Sequence, residues 1–598
     1  AFGGGMEYPT ITVIEPLADA RQLDITIAHE IGHNWFYGMI ANNERAHPWM
    51  DEGFNTFYEY KYTASRYGKA SQWEDLLHRT LVRQKRDQPI LTSSDSMSAD
   101  NYSLVTYHKT ARWLQGIEQT MGADSMRMMM QAWFTEHRFQ HVQPEDFYQH
   151  LQTWAPAHAA QFQAQLRSKG TLPIQEPRGT TFVNILQPAS FRRYLQQPAR
   201  SAWLASIVPG VNQYDRFQVG LLLTNYLLPP PKLRLLLLPF YATGSKQITG
   251  LARLAYDWYP DRGVKRVGVF AAASTFSYNE FIDDKGERFT ARFFKVVPGL
   301  ELELRQRDPR STLRRTIQWK SYFLGEQPFR ISFDSLVTAT DTSFFLNTQK
   351  KELRYSIQQL TFRIEDSRAL YPYSGALWVQ ASSYFTRLNL EANYFFNYKE
   401  GGLSVRLFAG KLFYDQRRSD YPYGFYPARY FLSMSGVGGN EDYTYSNYFL
   451  ARSAFEGSSS QQIAIRDGGF KMRTPLLSAP VGQSDDWLAA LNFNTTIPEA
   501  INPLRVLPFK VPVHLFFDIG TQGGAWQEGA EGGRFLYEAG LHLPIAGNLV
   551  NIYFPIIYSP AFRDYALSMY PKNRFFKTMT FSIDLQNASR LIKNRRLF

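Results

Sequence analysis

The sequence predicts a multidomain protein: a mainly helical domain followed by an antiparallel β-barrel of transmembrane type. Three observations lead there. His-Glu-Ile-Gly-His occupies residues 29–33 in a helical pattern, and eighteen residues separate His33 from Glu52. Charge then switches near residue 170: residues 1–170 hold 15 Lys and Arg against 19 Asp and Glu, and the remainder holds 50 against 34. Beyond the switch, alternating apolar and polar runs, most of about ten residues or longer, follow one another towards the C-terminus.

In the first part, His29 and His33 are four apart on a helix, so both imidazoles project from one face. Glu30 lies between them, placed to act as a general base. Glu52 adds a carboxylate, and two His plus one Glu leave a fourth position open, the pattern of a catalytic rather than a closed structural zinc site. Ile27, Ile31 and Trp35–Phe36 make the helix otherwise apolar, so the two imidazoles and the carboxylate would be buried unpaired without a metal. Helices are expected over 24–41, 52–67 (ending at Gly68), 107–121 (stopped by Gly122), 124–138 and 144–151. The last opens with Pro144, Glu145 and Asp146. Met126 and Met128–Met130 read as core filler. Ahead of the first helix, Gly3, Gly4 and Gly5 let backbone approach a bound peptide closely. Thr10–Glu15 alternates like an edge strand onto which a peptide could add.

H-E-I-G-H-N-W-F…W-M-D-E-G-F resembles the gluzincin metallopeptidases of the aminopeptidase N family, which carry H-E-x-x-H, eighteen residues and then Glu. Gly4-Gly5-Met6-Glu7-Tyr8 is similar to that family's G-x-M-E-N, and Tyr102 and Tyr107 match its paired tyrosines ahead of a long helix. The resemblance covers about residues 3–155. It implies a thermolysin-like catalytic domain over residues 1–169, partial at its N-terminus, holding one Zn2+ on His29, His33 and Glu52. It also implies Glu30 as general base, Tyr107 as oxyanion donor, and Gly4, Gly5, Met6 and Glu7 as a substrate-binding segment whose carboxylate anchors a free α-amino group. Tyr8 stands where the family has Asn, and Thr110 where it has Gly. The family's amino-terminal β domain, source of a second amine-binding acid, is not in this sequence. The chain is therefore expected to be a piece of a longer protein, and exopeptidase preference stays open. Cysteine is absent, which excludes disulfides, thiolate metal sites and a Cys nucleophile.

The Pro- and Gly-punctuated stretch at 170–179 opens a linker read as 170–210, and 211–598 reads as the barrel domain. Leu403, Val405, Leu407 and Ala409 alternate with Ser404 and Arg406, and Met579, Phe581, Ile583 and Leu585 alternate with Thr580, Ser582 and Asp584. Similar runs lie near 216–227, 232–242, 250–259, 264–276, 288–305, 312–323, 351–364, 374–398, 461–473, 487–496, 511–519, 534–543 and 549–557. Strands of soluble folds average about five or six residues, and these are longer. One face carries Leu, Phe, Tyr and Trp and the other Arg, Lys, Gln and Thr, as lipid outside and a polar lumen require. Aromatic clusters at Tyr256–Tyr259, Phe413–Tyr414, Tyr421–Tyr423 and Phe425–Tyr426 fit interfacial girdles. No apolar run reaches helix-spanning length. Closure removes the open edges that would aggregate in water. In strand style the region resembles outer-membrane barrels, and Tyr214–Leu221 with the Pro- and Leu-rich run after it looks like barrel segments attached to peptidase-like proteins of Bacteroidetes-type bacteria. The basic tail ending at Phe598 departs from the common barrel-terminal signal.

The expected function is zinc-dependent, aminopeptidase-like peptide hydrolysis by a domain anchored to a bacterial outer-membrane β-barrel. Its expected partners are a peptide or protein substrate and the lipid bilayer with lipopolysaccharide. Nucleic acid is not expected, because the basic charge is spread and carries no recognition motif. The peptidase is expected in the periplasm, with the cell surface as the alternative. Two other readings remain open: a transport or assembly barrel whose peptidase-like domain only binds peptides, and a soluble zinc peptidase with a β-rich binding module.

Overall fold

The computed structural model describes residues 4–17, 19–68, 73–172, 179–196, 201–282, 286–337, 342–350, 352–414, 431–436, 442–446, 458–474, 481–507, 511–530, 533–545 and 548–584. Gly3, the aromatic cluster at 421–426 and the C-terminal tail with Leu585 lie outside these residues.

The helical part begins with a small hairpin. β1 (Gly5–Met6) pairs antiparallel with β2 (Val13–Ile14), so the expected edge strand over Thr10–Glu15 is shorter than its pattern. Asp19 caps α1 (Ala20–Gly32) by accepting from the backbone N–H groups of Arg21 and Gln22. α1 stops at His33 rather than running on to residue 41. Tyr37 takes a φ of 100° and the Gly38 N–H donates to the His33 carbonyl, which reverses the chain. β3 (Ile40–Ala41) then pairs with β4 (Gln140–His141). Ile31 and Trp35 are 51% and 46% exposed, so apolar residues expected to cover this helix lie open, while His29, Glu30 and His33 are buried.

A π-helical turn over Trp49–Gly53 runs into α2 (Phe54–Tyr67), which ends at Gly68 as its pattern predicts. α3 (Trp73–Arg83) follows. A second π-helical segment over Tyr102–Lys109 continues as the helix Thr110–Met121, ended by Gly122, and helices over 123–137, 144–154 and 159–167 complete the domain. Trp49, Trp113, Trp133 and Phe147 stack edge to face in the core. Met126, Met129 and Met130 fill gaps around them, whereas Met128 is exposed.

The second part is a large sheet. Its wall strands are β5 (Thr180–Val183), β6 (Ser201–Asn212), β7 (Arg216–Thr224), β8 (Leu233–Ala242), β9 (Gln247–Trp258), β10 (Val264–Ile282), β11 (Arg288–Leu304) and β12 (Leu313–Gln327). A separate hairpin, β13 (Phe329–Val337) with β14 (Thr342–Lys350), precedes β15 (Leu353–Asp366), β16 (Tyr373–Ala381), β17 (Phe385–Tyr398) and β18 (Gly401–Tyr414). Four short strands follow: β19 (Leu432–Ser433), β20 (Ser435–Gly436), β21 (Phe470–Arg473) and β22 (Gln483–Ser484). The wall resumes with β23 (Trp487–Thr496), β24 (His514–Gln522), β25 (Leu536–Ile545), β26 (Val550–Tyr558) and β27 (Thr580–Ile583).

The strand order of the wall closes on itself, with β9 paired to β10 and β5 placed beside β27. The described pairings of wall strands from β6 round to β27 are antiparallel, and β5 joins β6 in parallel. Three expectations need correction. The sheet starts at Thr180, inside the stretch read as linker. The run at 374–398 is two strands. The run at 461–473 is no wall strand: beyond a bridge from Gln462 to Phe581 of β27 it forms only β21, which pairs with β20.

β20 and β21 belong to an insert between β18 and β23 that packs inside the ring. Leu432, Met434, Tyr443, Tyr445, Phe470 and Met472 are buried against wall residues such as Phe293, Phe385 and Phe408. Buried ion pairs tie the insert to the wall, Arg387 to Asp467 at 2.6 Å and Lys471 to Asp518 at 2.8 Å. The outer face is apolar: on β9, Leu254, Tyr256 and Trp258 are exposed, while Ala255 and Asp257 between them are buried.

α3 and the residues around it hold the helical domain to one end of the ring. Lys85 pairs with Asp261 at 2.5 Å in the β9–β10 turn. Arg83 donates to the Pro230 carbonyl and Arg310 to that of Asp95. No described helix is long and apolar enough to cross a membrane.

Candidate active site

His29 and His33 stay on one face because the helical backbone continues through His33, whose φ and ψ are −65° and −12°. The π-helical turn at Trp49–Gly53 brings Glu52 against them. His29 Nε2 lies 3.2 Å from His33 Nε2, and Glu52 Oε2 lies 3.3 Å from each. A tetrahedral zinc site with bonds of about 2.0–2.1 Å has ligand–ligand edges of about 3.3–3.4 Å. The three donor atoms are therefore spaced as three corners of such a site, and their N, N, O chemistry is that of catalytic zinc. All three residues are buried.

Supporting contacts orient each ligand. Glu59 Oε2 lies 2.8 Å from His29 Nδ1, and the Phe36 carbonyl lies 3.1 Å from His33 Nδ1, so both rings offer Nε2 to the metal position. Asn55 donates to the His29 carbonyl at 2.6 Å, tying α2 to α1. The Tyr107 hydroxyl donates to Glu52 Oε1, and its ring stacks on His29 with centroids 5.9 Å apart. Tyr107 thus touches the Glu52 carboxylate. Thr110, where the resembled family has Gly, packs against Gly53; a Cβ on Gly53 would meet Thr110 Cγ2 at 2.2 Å.

Glu30 sits beside the segment Gly4–Glu7. A Cβ on Gly5 would meet Glu30 Oε1 at 2.0 Å, so only glycine lets β1 pass so close to that carboxylate. Ligating atoms of Glu7, Glu30 and His33 all lie within 4.8 Å of one another. Glu30 Oε2 is buried without a hydrogen-bond partner among the described residues. Gly4, at a φ of 104°, and Met6, paired with Val13, carry the backbone past the site.

Charge follows this geometry. Burial raises the Glu30 carboxyl above its ordinary range, and neighbouring Glu7 and Glu52 add to that against the opposing histidines. Burial also raises the Tyr107 phenol, and Glu52 reinforces it, so the hydroxyl keeps its proton. Burial disfavours charge on His29 and Glu52, but hydrogen bonds outweigh it: Glu52 and Glu59 push His29 up to about 10, and His29 and His33 push Glu52 down to about 2. Glu44 faces the same region: burial and the nearby Glu7 and Glu52 raise its carboxyl. Sequence reasoning passed over Glu59, although its seven-residue distance from Glu52 on one helix was a readable signal.

The site thus defines a class, a metal centre of the two-His, one-Glu type. More particularly, residues 9–166 match the Peptidase family M1 domain. Aminopeptidase B of Rattus norvegicus is 25% identical over 221 residues, which are 35% of this chain and 31% of that protein. Leucine aminopeptidase 2 of Kluyveromyces lactis is 29% identical over 133 residues, 20% of each chain. The chain therefore spans about a third or less of the length of these relatives. Among solved structures, an M1 zinc metallopeptidase from Deinococcus radiodurans aligns over 29% of this chain and 39% of its own, at 16% identity and a TM-score of 0.25. CdiB from Acinetobacter baumannii aligns over 60% of this chain and 56% of its own, at 12% identity and a TM-score of 0.32.

Proposed function

We propose that the chain is a zinc-dependent, aminopeptidase-type peptidase seated at the periplasmic end of an outer-membrane β-barrel, acting on peptide or protein substrates. The observation that carries the catalytic half is the tetrahedral spacing of His29 Nε2, His33 Nε2 and Glu52 Oε2. When bound there, Zn2+ supplies Lewis acidity that polarises the scissile carbonyl and makes water a nucleophile near neutral pH. Glu30 takes the proton of the attacking water and passes it to the leaving amine, a task suited to its raised pKa and its unpartnered Oε2. Tyr107 keeps its phenolic proton and donates to the developing oxyanion. Glu7, close to Glu30 and His33, pairs with a substrate ammonium and fixes the chain end.

The membrane half rests on the outer face. On β17, Leu388 and Leu390 are 39% and 42% exposed while Arg387 and Asn389 are buried. A closed strand order with lipid-type side chains outward leaves the wall no open edge, as a bilayer without water requires. Such a face contacts acyl chains and lipopolysaccharide. The helical domain sits at the end of the β9–β10 turn, and the two longest connections of the wall, the one holding the β13–β14 hairpin and the insert between β18 and β23, open at the other. Bacterial barrels turn their short connections to the periplasm, which supports a periplasmic peptidase. The insert packed in the lumen counts against an open transport pore.

Glu30→Gln tests the catalytic reading. It should keep zinc while losing about 10²–10⁴-fold in kcat on an amino-acid amide reporter. Parental turnover would remove Glu30 from its role.

A further inference from the structure

A cavity of about 410 Å3 lies between α3 and the lumen faces of β8 to β12, away from the zinc ligands. Eight of its lining side chains are Arg or Lys, against three carboxylates. Those carboxylates are already matched within the wall. Arg266 contacts Asp257 at 2.8 Å, Glu303 at 3.5 Å and also Glu301. Arg234 holds Asp257 at 2.6 Å, and Lys265 and Arg314 hold Glu303 at 2.8 and 3.2 Å. Arg86 turns to Asp100 at 2.6 Å, and the rest of the positive surplus meets no carboxylate among the described residues. Arg253 rests 4.4 Å over the Phe270 ring and makes no ion pair among the described residues; neither does Lys232 at the rim. Arg234 Nε is buried with no hydrogen-bond partner among the described residues.

We propose that this chamber binds a small phosphate-bearing anion. Guanidinium forks match phosphate oxygens, and several of them converge here. The volume falls within the range of about 300–1,000 Å3 usual for small-molecule sites. Ala255, Val269 and Phe270 give it little apolar wall, which suits a compact, highly charged group better than an acidic peptide with a long backbone. Inorganic phosphate, pyrophosphate and a phosphate monoester share this chemistry. Because Arg83 and Arg86 of the helical domain line the chamber together with wall residues, the anion bridges the two parts of the molecule.

Calorimetric titration of the full chain in detergent, at constant ionic strength, tests this. Pyrophosphate, inorganic phosphate and glycerol 3-phosphate are titrated separately, with triglutamate as the peptide arm. Saturable binding of at least one phosphate compound is expected, weakened at least about tenfold in Arg253→Gln. Lys232→Gln lies on an exposed loop and leaves the fold intact; it should weaken the same binding several-fold. Preference for pyrophosphate or phosphate identifies a free anion, and preference for glycerol 3-phosphate identifies an ester; either supports the site. No saturable binding of any phosphate compound, equal affinity in both variants, or tighter binding of triglutamate overturns it.

Discussion

Glu59 holds His29 by its far nitrogen, two helical turns from Glu52, and so fixes which nitrogen faces the metal. Glu59→Gln should lower zinc affinity about 10–100-fold, read by competition with a chelator; unchanged affinity would reduce Glu59 to an ordinary surface carboxylate. Tyr107→Phe should cost about 10²–10³ in kcat with little change in KM, because the phenol acts on charge that develops only during reaction. An equal loss in KM alone would make Tyr107 a binding residue. At this scale much was legible: helical spacing alone put His29, Glu30 and His33 on one face. The Phe36 carbonyl behind His33 was not, because it depends on the reversal at Tyr37, which no residue-type pattern announces.

Among the elements, α3 joins the helical domain to the sheet and carries an acid-sensitive residue. His78 is 6% exposed and its Nε2 has no hydrogen-bond partner among the described residues. Burial, reinforced by the Lys109 charge, lowers it to about 4 from the ordinary value of 6.5. The folded state therefore favours neutral His78. Its stabilising effect is complete above pH 6.5 and is lost as pH falls towards 4, at up to about 3 kcal/mol. Hydrogen-exchange protection of α3 should fall over that window in the parent and stay flatter in His78→Gln; the same fall in both would exclude His78 as its origin. Element types were readable from period, since long alternating runs such as Gly401–Tyr414 became wall strands. The run at 461–473 misled because β21 is buried on both faces inside the ring, where alternation has no meaning. β6 was missed because Pro209 and Gly210 interrupt its pattern.

For the whole molecule, an apolar outer wall around a packed interior predicts an anchor rather than a pore. The chain should need detergent to stay in solution and migrate differently in gels before and after heating. Behaviour as a detergent-free monomer would refute the membrane placement. In planar bilayers it should show no stable open conductance while the Arg387–Asp467 and Lys471–Asp518 pairs hold the insert in place; a steady large conductance would contradict the plugged lumen. The two-part organisation was visible in the charge switch near residue 170, but the seat of one part on the other was not, since it depends on scattered contacts such as Lys85 with Asp261.

The account stands on metal held by His29, His33 and Glu52, and the zinc content of the purified full chain tests it most directly. About one zinc per chain is expected, retained in Glu30→Gln and lost in His33→Ala. A chain that carries no divalent metal, and takes up none from buffered zinc, would contradict it.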